Sequence, residues 1–133
     1  MSNYSLLHMQ KVRIEKLYDC FTVSILGMTS YELVCRGELQ PIDAVNKYKV
    51  EIRMRPNRKP VVRITSPKII PSSKIHTYSD GSLCLYYPAD MVWKSTTLIA
   101  DYTIPWIVEW ILYYEIFQIT GKWEGNEAPH ASM

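Results

Sequence analysis

From Tyr31 to Thr65, apolar and polar positions alternate in three short runs, Tyr31–Leu39, Tyr48–Met54 and Val61–Thr65, separated by Pro41, by Pro56 and Asn57, and by Pro60. A period of two sends successive side chains to opposite faces, so each run predicts a half-buried strand, and the proline breaks between them predict an antiparallel meander. Phe21–Leu26 predicts a further strand ahead of the three. Residues 4–18 follow a helical period instead, with Ile14, Leu17, Tyr18 and Phe21 assigned to one face. No internal repeat, low-complexity run or interdomain linker interrupts the chain.

The longest apolar stretch, Tyr102–Ile119, approaches the length of a membrane span but contains Glu109, Glu115 and Gln118, and so predicts a buried helix of a soluble protein. Thr103 or Asp101 is placed to cap its first amides, Pro105 falls where a missing N–H costs nothing, and Gly121 follows where a helix stops. On this helix Trp106, Trp110, Tyr113 and Phe117 recur on one stripe, beside a second of Ile107, Ile111 and Tyr114. That apolar surface predicts either core or a surface for a partner, including a second copy of the chain as a homodimer. The expected class is α+β: an N-terminal helix, an antiparallel meander, an irregular proline-bounded stretch from Ser66 to Trp93 and a long C-terminal helix, in a single domain over residues 1–133.

Composition narrows the function classes. A chain of 133 residues with 47% apolar and 21% charged residues predicts one globular domain and excludes a disordered, collagen-like or multidomain protein. The net charge of +2 gives no reason to expect nucleic acid or an anionic membrane as partner. Cys20, Cys35 and Cys84 form no C-x-x-C pair, so neither a disulfide framework nor a zinc site is expected, and a reducing cytoplasm fits. The opening MSNYSLLHMQKVRIEK lacks the apolar core of a secretory signal. Arg53, Arg55, Arg58, Lys59 and Arg63 group around one turn, to be read as a solvated strand edge or as a dock for an acidic protein surface.

The irregular stretch carries the candidate chemistry. It contains His76, Tyr78, Asp80, Gly81 and Cys84, with Leu83 and Leu85 on either side of the cysteine. Gly81 permits a tight turn, the two leucines can anchor the loop, and alternation then predicts a Cys84 pointing outward as nucleophile, with His76 nearby. Cys20 and Cys35 are expected in the core, as is Trp93 beneath the cysteine segment.

The run from His76 to Leu85 followed by Trp93 and a long helix resembles the ubiquitin-conjugating enzymes, whose pattern is H-P-N, then G-x-[IL]-C-L, then Trp. The chain is similar in particular to the bacterial versions encoded in cyclic-oligonucleotide antiphage signalling (CBASS) operons. The shared motifs are H-x-Y-x-D-G-S-L-C-L-Y-x-P from His76 to Pro88, I-P-W-x-x-E-W-x-x-Y-E from Ile104 to Glu115, and T-G-x-W-x-G from Thr120 to Gly125 with a late His130. The resemblance implies a ubiquitin-conjugating-like fold and an antiviral role. Cys84 would hold the C-terminal carboxyl of a cGAS-like nucleotidyltransferase as a thioester until an acceptor protein lysine attacks. It implies no metal or organic cofactor. No nucleotide-binding loop is present, so the acyl group would come from a separate activating enzyme or on a nucleotidyltransferase that arrives already activated.

A lysine ammonium has a pKa near 10.4, so a carboxylate or desolvation must help remove its proton, and Asp80 and Asp90 are the acids closest in sequence to Cys84. Where the eukaryotic-type pattern has an Asn two residues after the His, this chain has Tyr78, and its His-to-Cys spacing is shorter. A tyrosine hydroxyl can donate one hydrogen bond, and one such donor is worth about 2.7–4 kcal/mol to a developing oxyanion. Each candidate also has a structural reading. His76 can brace the loop through its backbone, Tyr78 can pack beneath it, and His130 can be a solvated tail residue. Two other functions are compatible with the residues: a non-catalytic binding module on the same fold, and a cysteine hydrolase with His76 or His130 as base.

Overall fold

The computed structural model describes residues 2–85 and 92–125. The chain forms helix α1 (Asn3–Leu17), four strands β1 (Phe21–Leu26), β2 (Glu32–Leu39), β3 (Tyr48–Met54) and β4 (Val61–Ser66), and helix α2 (Ile104–Thr120). The strands make one antiparallel sheet in the order β1-β2-β3-β4, as the alternation predicts. Register explains the core: Val23 faces Cys35, Cys35 faces Ile52 and Ile52 faces Val62, so four inward positions form one continuous buried row across the sheet. The neighbouring outward row carries charge, with Arg36 at 3.1 Å from Glu51 and Arg53 held between Glu51 (2.9 Å) and Glu32 (2.8 Å).

The basic turn is therefore neutralised in large part by its own chain. Arg53 pairs with two acids, Arg55 lies 3.8 Å from Glu32, and Arg63 binds Asp80 at 3.0 Å. This favours the strand-edge reading of those cations over the docking one.

Helix α1 is capped by the Ser2 hydroxyl, which accepts from the Ser5 amide. Its buried face is Leu7, Gln10 and Ile14, whereas Leu17 is 46% exposed and Tyr18 and Phe21 lie beyond the helix end. The expected face of Ile14, Leu17, Tyr18 and Phe21 thus keeps only Ile14 as a buried helical position. Gln10, a polar residue, occupies the rest of it because its amide is fully used: it accepts from the Ile99 amide (2.9 Å) and donates to the carbonyls of Thr97 (2.7 Å) and Ser95 (3.4 Å).

Those bonds clamp α1 to a wide π-type turn, Ile99–Thr103, that feeds α2. The turn overturns the expected cap. Asp101 pairs with Arg13 at 3.2 Å, and Thr103 has helical backbone angles and makes no capping bond. In place of a cap, the π-type turn supplies the Ile99 carbonyl as acceptor for the Ile104 amide. At the other end Gly121 adopts φ 74° and closes the helix with a bond from its amide to the Phe117 carbonyl, as predicted.

The core stripe of α2 is Ile104, Ile107, Trp110 and Ile111. Of the aromatic stripe singled out in the sequence only Trp110 is buried, while Trp106, Tyr113 and Phe117 are half-buried. No described helix is long and apolar enough to cross a membrane.

Candidate active site

A short hairpin hung on the edge of the sheet carries the candidate cysteine. A single 3₁₀ turn, Ser73–Ile75, ends at His76, whose backbone takes the left-handed conformation (φ 56°, ψ 52°) and reverses the chain. Thr77 then faces Leu83, and the Tyr78 amide donates to the Ser82 carbonyl at 2.8 Å. The tip closes with a bond from the Gly81 amide to the Tyr78 carbonyl, at a φ of 87° that suits glycine. Two bonds fix the returning arm: Leu83 donates to Val62 of β4, and Cys84 donates to the His76 carbonyl, each at 2.8 Å.

With Thr77 opposite Leu83, alternation puts His76, Tyr78 and Cys84 on one face of this hairpin. The Cys84 thiol lies 3.2 Å from the Tyr78 hydroxyl oxygen. His76 is buried, and its ring packs against Trp123 with centroids 4.8 Å apart.

The structure thus brings together three of the candidates. Asp80 is held elsewhere: its carboxylate accepts from the Ser82 amide (2.9 Å) and hydroxyl (2.6 Å) and pairs with Arg63 (3.0 Å). Those bonds hold its carboxyl below the usual range and make it a brace of the turn. Asp90 and His130 lie outside the described residues.

Cys84 does not point outward. It is 4% exposed, under a roof formed by α2 and the segment after it. A narrow cleft of about 30 Å³ remains over it, lined by His76, Leu85, Trp106, Glu109, Trp110, Tyr113 and Trp123. Burial raises the Cys84 thiol pKa, and the bond with Tyr78 offsets part of the rise. The expected exposures of Cys20 and Cys84 are reversed, Cys20 being exposed, whereas Cys35 lies in the core as expected, where burial pushes its thiol up to about 12.

The aromatic surplus of α2 also finds its use here. Trp110 donates its indole N–H to the Ile75 carbonyl at 2.9 Å, pinning the turn that leads into His76, and stacks on Tyr114 at 5.0 Å. Trp123 closes the cleft against His76, Tyr113 and Trp110. Trp93 is half-buried and packs against the core. Glu109 was missed as a site residue, although the helical period gives it: positions 106, 109, 110 and 113 share one face. Among the described residues no cluster of His, Cys, Asp and Glu could hold a metal ion.

The family model described as "Type II CBASS E2 protein" matches residues 10–131. No curated protein matches the chain.

Proposed function

The chain belongs to the type II CBASS E2 proteins, and from that premise we propose that it is a conjugating enzyme of ubiquitin-conjugating-like fold, acting as one domain, that carries an acyl group as a thioester on Cys84. The acyl donor is the C-terminus of a cGAS-like nucleotidyltransferase of the same operon, and the acceptor is a protein lysine in the cytoplasm. A separate activating enzyme, or prior activation of the nucleotidyltransferase, supplies the energy for loading.

The observation that carries this reading is the Tyr78 hydroxyl 3.2 Å from the Cys84 sulfur, on a hairpin face shared with His76. Thioester exchange needs a sulfur that leaves and attacks as an anion. Tyr78 supplies a donor for that anion from a rigid arm, in the position where the eukaryotic-type pattern has Asn. The backbone beneath the sulfur is held by the bonds from the Cys84 amide to the His76 carbonyl and from the Leu83 amide to the Val62 carbonyl.

Intact-mass measurement on the protein isolated with its operon partners tests the reading. A thiol-labile adduct on Cys84, converted to a stable ester in Cys84→Ser and absent in Cys84→Ala, is expected. Retention of the same adduct in Cys84→Ala would refute the assignment.

One observation favours a second reading, a non-catalytic binding module: the Cys84 sulfur is nearly enclosed and its thiol pKa is raised by burial. Binding of the nucleotidyltransferase with equal affinity to Cys84→Ala, and with no adduct in the native protein, is the result that this reading requires.

A further inference from the structure

The cleft over Cys84 has an unusual composition for a thiol site. Among the described residues, four aromatic side chains, Trp106, Trp110, Tyr113 and Trp123, line it together with His76 and one carboxylate, Glu109. Aromatic faces carry negative electrostatic potential and attract cations, most strongly where water is excluded. A carboxylate beside them would repel an anion and gains nothing from a neutral apolar group.

Position matters as well. Trp110 forms the buried floor, Trp106 and Tyr113 are half-buried walls, and Glu109 is exposed at the mouth. Trp123 is returned to this face by the reversal at Gly121. Glu115, Glu51 and Asp80 are each bound to partners within the fold, whereas Glu109 makes no ion pair or hydrogen bond among the described residues. An uncommitted carboxylate at the mouth of an aromatic box is suited to a cationic aliphatic amine.

We infer that this box seats the ammonium of the acceptor lysine and that Glu109 takes its proton, an inference that rests on reading Cys84 as the acyl carrier. The lysine methylenes lie along the rings with the charge at Glu109. One proton passes from nitrogen to the Glu109 carboxylate, and the freed amine attacks the thioester carbonyl carbon. A C–N bond forms, the C–S bond breaks, and the electron pair leaves with the Cys84 sulfur. The second nitrogen proton goes to that sulfur, restoring the thiol, and Glu109 returns its proton to water.

The full chain can be loaded with a glycine-terminated peptide thioester of mercaptoethanesulfonate and discharged with N-acetyl-lysine methylamide or with hydroxylamine, both steps followed by intact mass. In Glu109→Gln, discharge of the loaded protein by the lysine compound at neutral pH should fall roughly 100-fold relative to discharge by hydroxylamine, which is uncharged at neutral pH. The lysine defect should shrink as pH rises toward the amine pKa of about 10.4. Equal discharge by the lysine compound in the two proteins would overturn the role of Glu109.

Failure to load native Cys84 would refute the acyl-carrier reading instead, and the seat is then judged alone. The indole NMR signals of Trp106 and Trp123 should shift with N-acetyl-lysine methylamide and not with N-acetyl-norleucine methylamide. Loss of that selectivity in Glu109→Gln is expected, and equal response of the native protein to both compounds would overturn the seat.

Discussion

The Tyr78 hydroxyl and the Cys84 sulfur meet at 3.2 Å across the two arms of one hairpin. The turn at Gly81 sets this contact, because Thr77 opposite Leu83 brings residue 78 diagonally onto residue 84. The contact works against burial, which raises the thiol pKa.

Tyr78→Phe should therefore raise the Cys84 pKa further, since burial remains and the opposing hydrogen bond is lost. A hydrogen bond to a charged group is worth about 1.5–3 kcal/mol, so alkylation of Cys84 at neutral pH should slow by roughly an order of magnitude. Rates of iodoacetamide labelling against pH read this directly. A profile identical to that of the native protein would remove Tyr78 from the site.

Labelling should also order the three thiols. Exposed Cys20 should react first, Cys84 more slowly, and Cys35, in the core with its thiol pushed up to about 12, last. Trp123→Ala removes one wall of the cleft and should accelerate Cys84 while leaving Cys20 unchanged. Peptide mapping after timed alkylation distinguishes the three, and an unaltered Cys84 rate would show that Trp123 does not limit access.

The reversed fates of Cys20 and Cys84 show which parts of the structure were legible in the chain. Strand boundaries were, because alternation is a local property: β1 and β3 begin and end where the pattern does. The same alternation, applied to Cys20, gives the right answer. Phe21 and Val23 face inward, so a residue one step before Phe21 shares parity with exposed Thr22. Cys84 was misjudged because its cover, Trp106, Trp110 and Trp123, comes from more than twenty residues downstream, where no local pattern reports on residue 84. His76, Tyr78 and Cys84 were legible as a group, since one turn joins them. The clamp from Gln10 to the turn before α2 was not, because a lone polar residue on a helix face gives no hint that three distant backbone groups await it.

Acid should weaken the fold through Glu115. Although burial acts to raise its pKa, bonds from the Val45 amide (2.8 Å), the Tyr48 hydroxyl (2.8 Å) and the Asn46 amide (3.1 Å) together hold it below the usual range. A depressed carboxylate stabilises the folded state above its unfolded pKa of about 4.3, and this contribution is lost as pH falls through the folded value. Glu115→Gln should cost about 1–2 kcal/mol at pH 7 after allowance for its partial exposure, and the gap to the native protein should close below about pH 4. Urea denaturation at several pH values measures this, and a pH-independent gap would mean that charge is not involved.

Trp110 joins stability to the site, and two substitutions separate its contributions. It is 3% exposed, stacks on Tyr114, and donates to the Ile75 carbonyl one residue before His76. Trp110→Ala removes all of this from a packed position and should cost about 3–5 kcal/mol. Trp110→Phe keeps an aromatic ring for Tyr114 but leaves the Ile75 carbonyl without its donor, which should cost about 1–3 kcal/mol. Because that carbonyl anchors the turn into His76, and the His76 carbonyl in turn holds the Cys84 amide, the Phe variant should also change Cys84 alkylation kinetics. Chemical denaturation and alkylation on the same variant provide the test. A Phe variant with lowered stability and native Cys84 kinetics would make Trp110 a core residue without influence on the thiol.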